Sequence, residues 1–158
     1  MHIADAQQDM RFGYLGGAPG LLASALAWLA AGLAPRGGSA RHAVLALFVG
    51  GMLIHPAAVL LARVLGRPGA HAPSNPLGRL ALETTGLLLC GLAIAYGVAL
   101  VRPVWFFPAV LLMIGGRYLT FATLYGLRLY WGCGAALALA GWAVAAARPP
   151  LSAGLCHV

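Results

Sequence analysis

The sequence predicts an all-α protein, a polytopic transmembrane helical bundle of about five spans. Of its 158 residues, 61% are hydrophobic and only 8% are charged, and the mean hydropathy is +0.87. A soluble domain carries about 25% charged residues. The apolar runs are each close to the roughly 20 residues that a helix needs to cross a bilayer. We interpret residues 1–158 as a single integral membrane domain, with spans at about residues 13–33, 42–65, 78–100, 104–127 and 131–147.

Charge and cysteine content narrow the classes of partner. All ten basic residues are arginine, and the formal net charge is +7. All of them except Arg117 lie at or near the ends of the apolar runs, which suits the membrane interface and anionic lipid head groups better than nucleic acid. We expect membrane lipids as partners, keep a homo-oligomer open, and expect no nucleic acid, because no stretch outside the spans combines basic and aromatic residues. Three cysteines without a Cys-x-x-Cys spacing predict neither a disulfide framework nor a zinc site.

The N-terminal segment precedes the first span. Residues 1–11 are polar and predict a short amphipathic turn or helix at the membrane surface. Their two acids and single arginine differ from the basic start of a secretory signal, so we expect a retained first helix. A cleaved signal ending near Ala34 is the alternative.

The glycine-rich start of the first span, GYLGGAPG, favours close helix packing over a phosphate loop, because no Lys-Ser/Thr follows it.

Turn-forming residues separate the next elements. Residues 35–41, PRGGSAR, predict the first turn, and residues 66–76, GRPGAHAPSNP, predict the longest loop. Within the second span, Pro56 follows His55. A proline there removes a backbone donor, which predicts a kink and a freed Met52 carbonyl.

The last two spans combine aromatic and small residues. The turn Val101–Pro103 is followed by Trp105 and two phenylalanines, which predict an aromatic belt at the membrane interface. Small residues align on one face of the fifth span, which favours close packing against a neighbour: Gly134, Ala138, Gly141 and Ala145. Arg148-Pro149-Pro150 predicts the end of that span.

The third span is the one around which we expect the bundle to be organised. At helical spacing, one of its faces holds only small or ionisable residues: Arg79, Glu83, Gly86, Cys90, Ala93 and Gly97. In lipid, small residues let helix backbones approach closely, and polar residues turn towards the protein interior. We therefore expect this face to pack against the other spans, with the Glu83 carboxylate pointing into the bundle.

Three charged or histidine side chains lie more than one helical turn inside the predicted spans: His55, Glu83 and Arg117. By helical rise they lie about 8–15 Å from the membrane face that carries the loop at residues 66–76. An unpaired charge at mid-membrane costs about 2.5–3.5 kcal/mol. We therefore predict a Glu83–Arg117 ion pair, with Arg79–Glu83, one turn apart, as the competing pair.

The candidate polar core consists of His55, Glu83, Arg117, Tyr118 and Thr120. We predict that it forms an intramembrane pocket for a proton, an anion or a lipid head group, used in binding or transport. One alternative is a structural or partner-binding membrane protein, in which the charges only fix helix register. A second is a lipid-modifying enzyme, in which the same groups serve as acid, base and phosphate clamp. We favour a non-enzyme and predict no catalytic residue, metal ligand or cofactor, because the spans hold one carboxylate and no metal-ligand spacing.

Arginine distribution gives the orientation. With five spans, the N-terminal side carries Arg11, Arg63, Arg67, Arg79 and Arg128, and the other side carries Arg36, Arg41, Arg102 and Arg148. The small excess on the N-terminal side predicts a cytoplasmic N-terminus by the positive-inside rule.

Four runs of the chain resemble a family of small bacterial multi-pass membrane proteins of unknown function: MRFGYLGGAPG, GGMLIHP, NPLGRLALE and WFFPAVLLMIGGRYLTFATLYG. The resemblance extends over nearly the whole chain and is weakest after Ala147. It implies a protein of the bacterial inner (cytoplasmic) membrane, with the spans that contain Glu83 and Arg117 as signature segments. It implies no activity and no catalytic residue.

Overall fold

The computed structural model describes residues 2–33 and 40–147. These residues are almost entirely helical and contain no strand, which confirms the all-α prediction. The predicted turn at residues 35–41 falls largely outside the described residues, as do Cys156 and the predicted end at residues 148–150. The helices, in chain order, are α1 (Ile3–Tyr14), α2 (Ala18–Leu33), α3 (Ala40–Val64), α4 (Leu77–Val101), α5 (Phe106–Tyr125) and α6 (Leu129–Ala146).

Five helical stretches are long and apolar enough to cross a membrane. Four of them correspond to α3, α4, α5 and α6, and the first extends over Ile3–Leu33 and joins α1 to α2. Regular helix geometry is interrupted between α1 and α2, where Leu15, Gly16 and Gly17 have φ values of 51°, 62° and 88°. The apolar residues of this stretch belong to α2, whereas α1 carries the polar residues of the N-terminus.

Small residues bring two helix hairpins into close backbone contact. Between α5 and α6, a Cβ placed on Gly115 would lie 2.7 Å from the Ala138 nitrogen, and one on Gly134 would lie 2.8 Å from the Gly115 oxygen. Between α2 and α3, a Cβ on Gly50 would lie 2.9 Å from the Ala27 Cβ. No larger side chain fits at these positions, and this is how helices in lipid approach closely.

The two apolar clusters of the bundle lie towards its two ends. Because the chain reverses direction from helix to helix, α1, the loop between α3 and α4, and the turn between α5 and α6 share one end, which we call the N-terminal end. The cluster there consists of Ala6, Met10, Leu77, Tyr118, Ala122, Leu124, Tyr125 and Tyr130. The second cluster joins α2, α3, α4 and α5 nearer the opposite end: Ala27, Ala31, Val44, Leu47, Ala95, Ala99, Phe106 and Val110.

Candidate functional site

A network of hydrogen bonds fastens α1 to the loop between α3 and α4. Asn75 is only 5% exposed. Its amide nitrogen donates to the Ala6 carbonyl at 2.9 Å and to Asp9 Oδ2 at 2.7 Å, and its Oδ1 accepts from the Leu77 N–H at 3.0 Å. The same Asp9 oxygen accepts from the Ala72 N–H at 2.9 Å. We call Asp9, Ala72 and Asn75 the N-terminal clamp, because they hold α1 against the start of α4.

The Asp9 carboxylate is stabilised by the donors of the clamp. Asp9 lies in the polar helix α1, outside the apolar part of the first span. The Asn75 side chain and then the Ala72 N–H lower the pKa of Asp9 below its ordinary value of 3.8, while burial acts weakly in the opposite direction. Asp9 is therefore ionised at neutral pH and can accept both hydrogen bonds.

Glycines allow the loop to lie directly on α1. The Gly69 N–H donates to the Gly13 carbonyl at 3.1 Å, and a Cβ on Gly13 would collide with the Ala70 carbonyl. Gly69 has a φ of 63°, which glycine adopts without steric cost. Next to it, the Tyr14 hydroxyl lies 3.0 Å from His71 Nδ1. Gly13, which the sequence assigned to helix packing, therefore packs against a loop.

Helix α1 also satisfies the last turn of α5. Arg11 Nη1 donates to the Tyr125 carbonyl at 2.6 Å, and Gln7 Nε2 donates to the Thr123 carbonyl at 2.8 Å. The last carbonyls of a helix have no donor within the helix, and a cation near them is favourable. The N-terminal segment, predicted as a surface element, thus joins α4 and α5 at the N-terminal end.

Within the spans, Arg117 on α5 is a cation with an unused donor. Its Nη2 donates to Thr85 Oγ1 on α4 at 3.0 Å, and its guanidinium carbon lies 5.3 Å from the centre of the Phe121 ring. Among the described residues, its Nη1 is buried and has no hydrogen-bond partner. Arginine stays protonated in proteins. The contact between α4 and α5 therefore contains a buried, charged N–H group that the described residues leave unsatisfied.

The predicted ion pair between Glu83 and Arg117 is wrong. Thr85, which contacts Arg117, lies two positions after Glu83, and two residues are about 200° apart around a helix. Glu83 therefore points away from α5 when Thr85 faces it. Both Glu83 and Arg79 are exposed, and within residues 2–33 and 40–147 neither side chain forms an ion pair, so the competing pair is not formed either.

Of the remaining predicted site residues, Tyr118 and Thr120 lie next to Arg117 on α5, with Tyr118 stacked on the Phe121 ring, whereas His55 does not contact it. His55 is exposed on α3, which continues as a helix past Pro56. Tyr118 is buried against α6, with its ring edge-to-face to Tyr130 at 5.9 Å. The Thr120 hydroxyl donates back to the Arg117 carbonyl at 2.6 Å. These residues occupy different surroundings rather than one polar pocket.

The small-residue face of α4 points away from the bundle. All of its residues are exposed: Arg79, Glu83, Gly86, Cys90, Ala93 and Gly97. A Cβ on Gly86 or Gly97 would meet no atom within 4 Å. The buried residues of α4 lie on the opposite side of the helix: Leu77, Thr84, Ala95 and Ala99. The expectation that this face packs inside the bundle, with Glu83 pointing inward, is therefore wrong.

An open cavity of about 260 Å³ lies between α2 and α3. Its walls are apolar, and none of the predicted polar residues contributes to them: it is lined by Leu22, Ala23, Leu26, Ala27, Gly50, Leu53, Ile54, Ala57 and Leu61.

Comparison with known proteins gives a match at the level of a family. No curated protein and no solved structure matches the chain. A family model described as a family of unknown function, DUF7010, matches residues 3–156, which is nearly the whole chain. The chain therefore belongs to the DUF7010 family of unknown function.

Proposed function

We propose that this integral membrane protein binds a phosphate-bearing anion at Arg117, between α4 and α5. One observation carries the proposal: Arg117 Nη1 is buried without a hydrogen-bond partner among the described residues. Thr85 uses one donor of the guanidinium, so most of its five N–H groups have no acceptor among the described residues.

Energetics favour an anionic ligand over an empty site. A charged arginine at membrane depth costs about 2.5–3.5 kcal/mol on insertion scales. The Phe121 ring offsets only part of this through a cation–π contact, and Glu83 faces away. A phosphate group would supply the missing charge and accept two parallel N–H bonds from the planar guanidinium.

The depth of Arg117 favours a phosphate that belongs to a lipid. Arg117 lies about eight residues before the end of α5, and Thr85 about eight residues after the start of α4, so both are about 12 Å from the N-terminal end. The head-group layer accounts for about 5–8 Å of that distance. Arginine side chains can extend towards the interface from such positions, so a lipid phosphate of that leaflet is the anion that we expect at Arg117.

The setting that we propose is the bacterial inner membrane, with the N-terminus in the cytoplasm. The five apolar helical stretches support integration into a membrane. Arg11, Arg63, Arg67, Arg79 and Arg128 lie at or near the N-terminal end, which the positive-inside rule favours as the cytoplasmic side. The phosphate would then come from the cytoplasmic leaflet.

The experiment compares ligands that differ only in the phosphate. Wild type and Arg117→Met are purified in a phosphate-free maltoside detergent, and their thermal unfolding is followed with added phosphatidic acid, diacylglycerol or inorganic phosphate. Arg128→Gln is the matched control, because Arg128 is an exposed arginine at the same end.

We expect phosphatidic acid, but not diacylglycerol, to raise the melting temperature of wild type and of Arg128→Gln, and to leave Arg117→Met unchanged. Stabilisation by inorganic phosphate to the same extent would identify a free anion as the ligand instead of a lipid. Equal responses of wild type and Arg117→Met would contradict the proposed site.

The structural or partner-binding alternative is favoured by a different observation, the outward face of α4. The lipid-modifying alternative gains no support from the geometry, because His55 and Glu83 lie on exposed helix faces and do not contact Arg117.

A further inference from the structure

We propose that the outward face of α4 is the interface of a homodimer, in which Arg79 of each copy pairs with Glu83 of the other. This proposal does not depend on phosphate binding at Arg117. It depends on the spacing of the exposed residues, on their charges and on the symmetry that a membrane imposes.

The exposed residues of α4 follow the spacing of a helix-pair seam. Arg79, Glu83, Gly86, Cys90, Ala93 and Gly97 are separated alternately by four and three positions and are all exposed. Alternating spacings of four and three keep one face towards a partner helix that crosses at about 20°. Gly86 and Gly97 have open space around them, so a second backbone can approach closely.

Large side chains border this seam on both sides. Leu87 and Ile94, each 70% exposed, lie on one flank, and Leu82 and Leu89, at 73% and 61%, lie on the other. The small residues therefore form a shallow groove between two apolar ridges. The α4 helix of a second copy can pack into this groove, with the ridges of the two helices side by side.

The Glu83 carboxylate on this face has no charged partner among the described residues. Glu83 lies about six residues into α4, about 9 Å from its start, where an unpaired carboxylate is unfavourable. Within its own helix, Arg79 precedes Glu83 by one turn, which is the less favourable order for an ion pair. The two side chains do not pair within the described chain.

A second copy satisfies both charges at once. Two copies inserted in the same orientation are related by a two-fold axis along the membrane normal, so residue i of one meets residue j of the other twice. Arg79 and Glu83 differ in depth by about 6 Å, which the long arginine side chain can cover. A lipid phosphate could pair with Arg79 but would leave Glu83 without a partner, so charge complementarity favours the second copy.

Cys90 lies in the middle of the seam and provides a native probe. In a background with Cys133→Ser and Cys156→Ser, membranes containing the full chain are treated with copper phenanthroline, which partitions into lipid. The matched control adds Cys90→Ser and Leu89→Cys, because Leu89 is exposed at the same depth but points about 100° away around the helix. We expect disulfide-linked dimers with Cys90 and few or none with Leu89→Cys.

A charge exchange tests the ion pairs themselves. Arg79→Glu places two acids on each copy, and Glu83→Arg places two bases, so each variant alone should associate about tenfold or more weakly than wild type. Co-expression of the two variants under different affinity tags should restore association, as should Arg79→Glu combined with Glu83→Arg in one chain. Restoration also shows that the variants fold.

Two results together support the homodimer. Cys90 forms the cross-link, and association is lost in the single charge variants and recovered when they are combined. A purified chain that is monomeric in lipid nanodiscs and gives no Cys90 cross-link would overturn it, and would show that lipid or another protein covers this face. Equal cross-linking through Leu89→Cys, or single charge variants that associate as well as wild type, would also overturn it.

Discussion

The polar groups of the clamp at the N-terminal end have hydrogen-bond partners within the chain, whereas two charged groups within the spans lack some or all of their partners among the described residues. In the N-terminal clamp, Asp9 and Asn75 form short hydrogen bonds with each other and with backbone groups on either side. Within the spans, Arg117 retains an unsatisfied nitrogen, while Glu83 lies on a surface with no described partner.

This difference separates the polar residues that stabilise the fold from those that we expect to contact a ligand or a second copy of the chain. A buried polar group with all its partners contributes to stability, and its removal leaves those partners unsatisfied. A charged group at membrane depth without a partner costs free energy in the isolated chain. Substitutions in the clamp should therefore lower the free energy of unfolding of the isolated chain. Substitutions of the charged span residues should lower stability mainly when a ligand or a second copy is present.

The largest effect on folding should come from Asn75→Ala. This substitution removes three hydrogen bonds of a residue that is 5% exposed, and we expect a loss of about 2–4 kcal/mol in the free energy of unfolding. Unfolding by SDS titration in mixed micelles measures it. Ser74→Ala, at an exposed neighbour, should change the same quantity by about 0.5 kcal/mol or less. Equal effects of the two would show that the clamp does not hold α1.

A smaller loss is expected when the loop is pushed away from α1. In Gly13→Ala the new methyl group would collide with the Ala70 carbonyl, and relieving this contact should cost about 1–3 kcal/mol. Gly132→Ala in α6 is the control, because its methyl group would meet open space and alanine is the better helix former by about 1 kcal/mol. If Gly13→Ala were as stable as Gly132→Ala, the loop would not rest on α1.

Acid should weaken the clamp in a way that depends on Asp9. Because the pKa of Asp9 is lowered in the folded state, the ionised carboxylate contributes stability above its ordinary value of 3.8. That contribution is lost as the pH falls through the lower folded value. When the pH is lowered from about 6 to below about 4, wild type should therefore lose more stability than Asp9→Asn. Parallel pH profiles of the two proteins, measured by thermal unfolding, would contradict this assignment.

The smallest effect is expected at His55. It is exposed on α3, so His55→Ala should change the free energy of unfolding by about 0.5 kcal/mol or less. The same SDS titration measures this change. A loss as large as that of Asn75→Ala would mean that His55 has a buried partner in the folded protein.

Sequence reasoning predicted the helical class and the number of spans because both depend on the length and hydropathy of local segments. It failed on the direction of the α4 face. Small residues such as Gly86 favour close packing, but spacing along one helix does not say whether the neighbour belongs to the same chain. Because the sequence does not contain this information, we wrongly predicted that Glu83 points into the bundle.

The clamp was missed because its residues are far apart in the sequence. Asp9 and Asn75 are separated by 66 positions, and polar residues outside the spans have no periodicity that would connect them. One local signal was available: Ala6, Met10 and Gly13 recur at helical spacing among polar neighbours and are all buried. That pattern indicates a helix face packed on protein.

The most direct test of the contrast between clamp and spans is the stability of Arg117→Met in lipid-free detergent and with phosphatidic acid. Methionine keeps the apolar contacts and removes a charge with an unsatisfied donor, so without lipid we expect unfolding free energy equal to wild type or higher by about 1 kcal/mol. With phosphatidic acid, only wild type should gain stability. A loss of about 2 kcal/mol or more without lipid, with equal gains on adding lipid, would show that Arg117 supports the fold as Asn75 does.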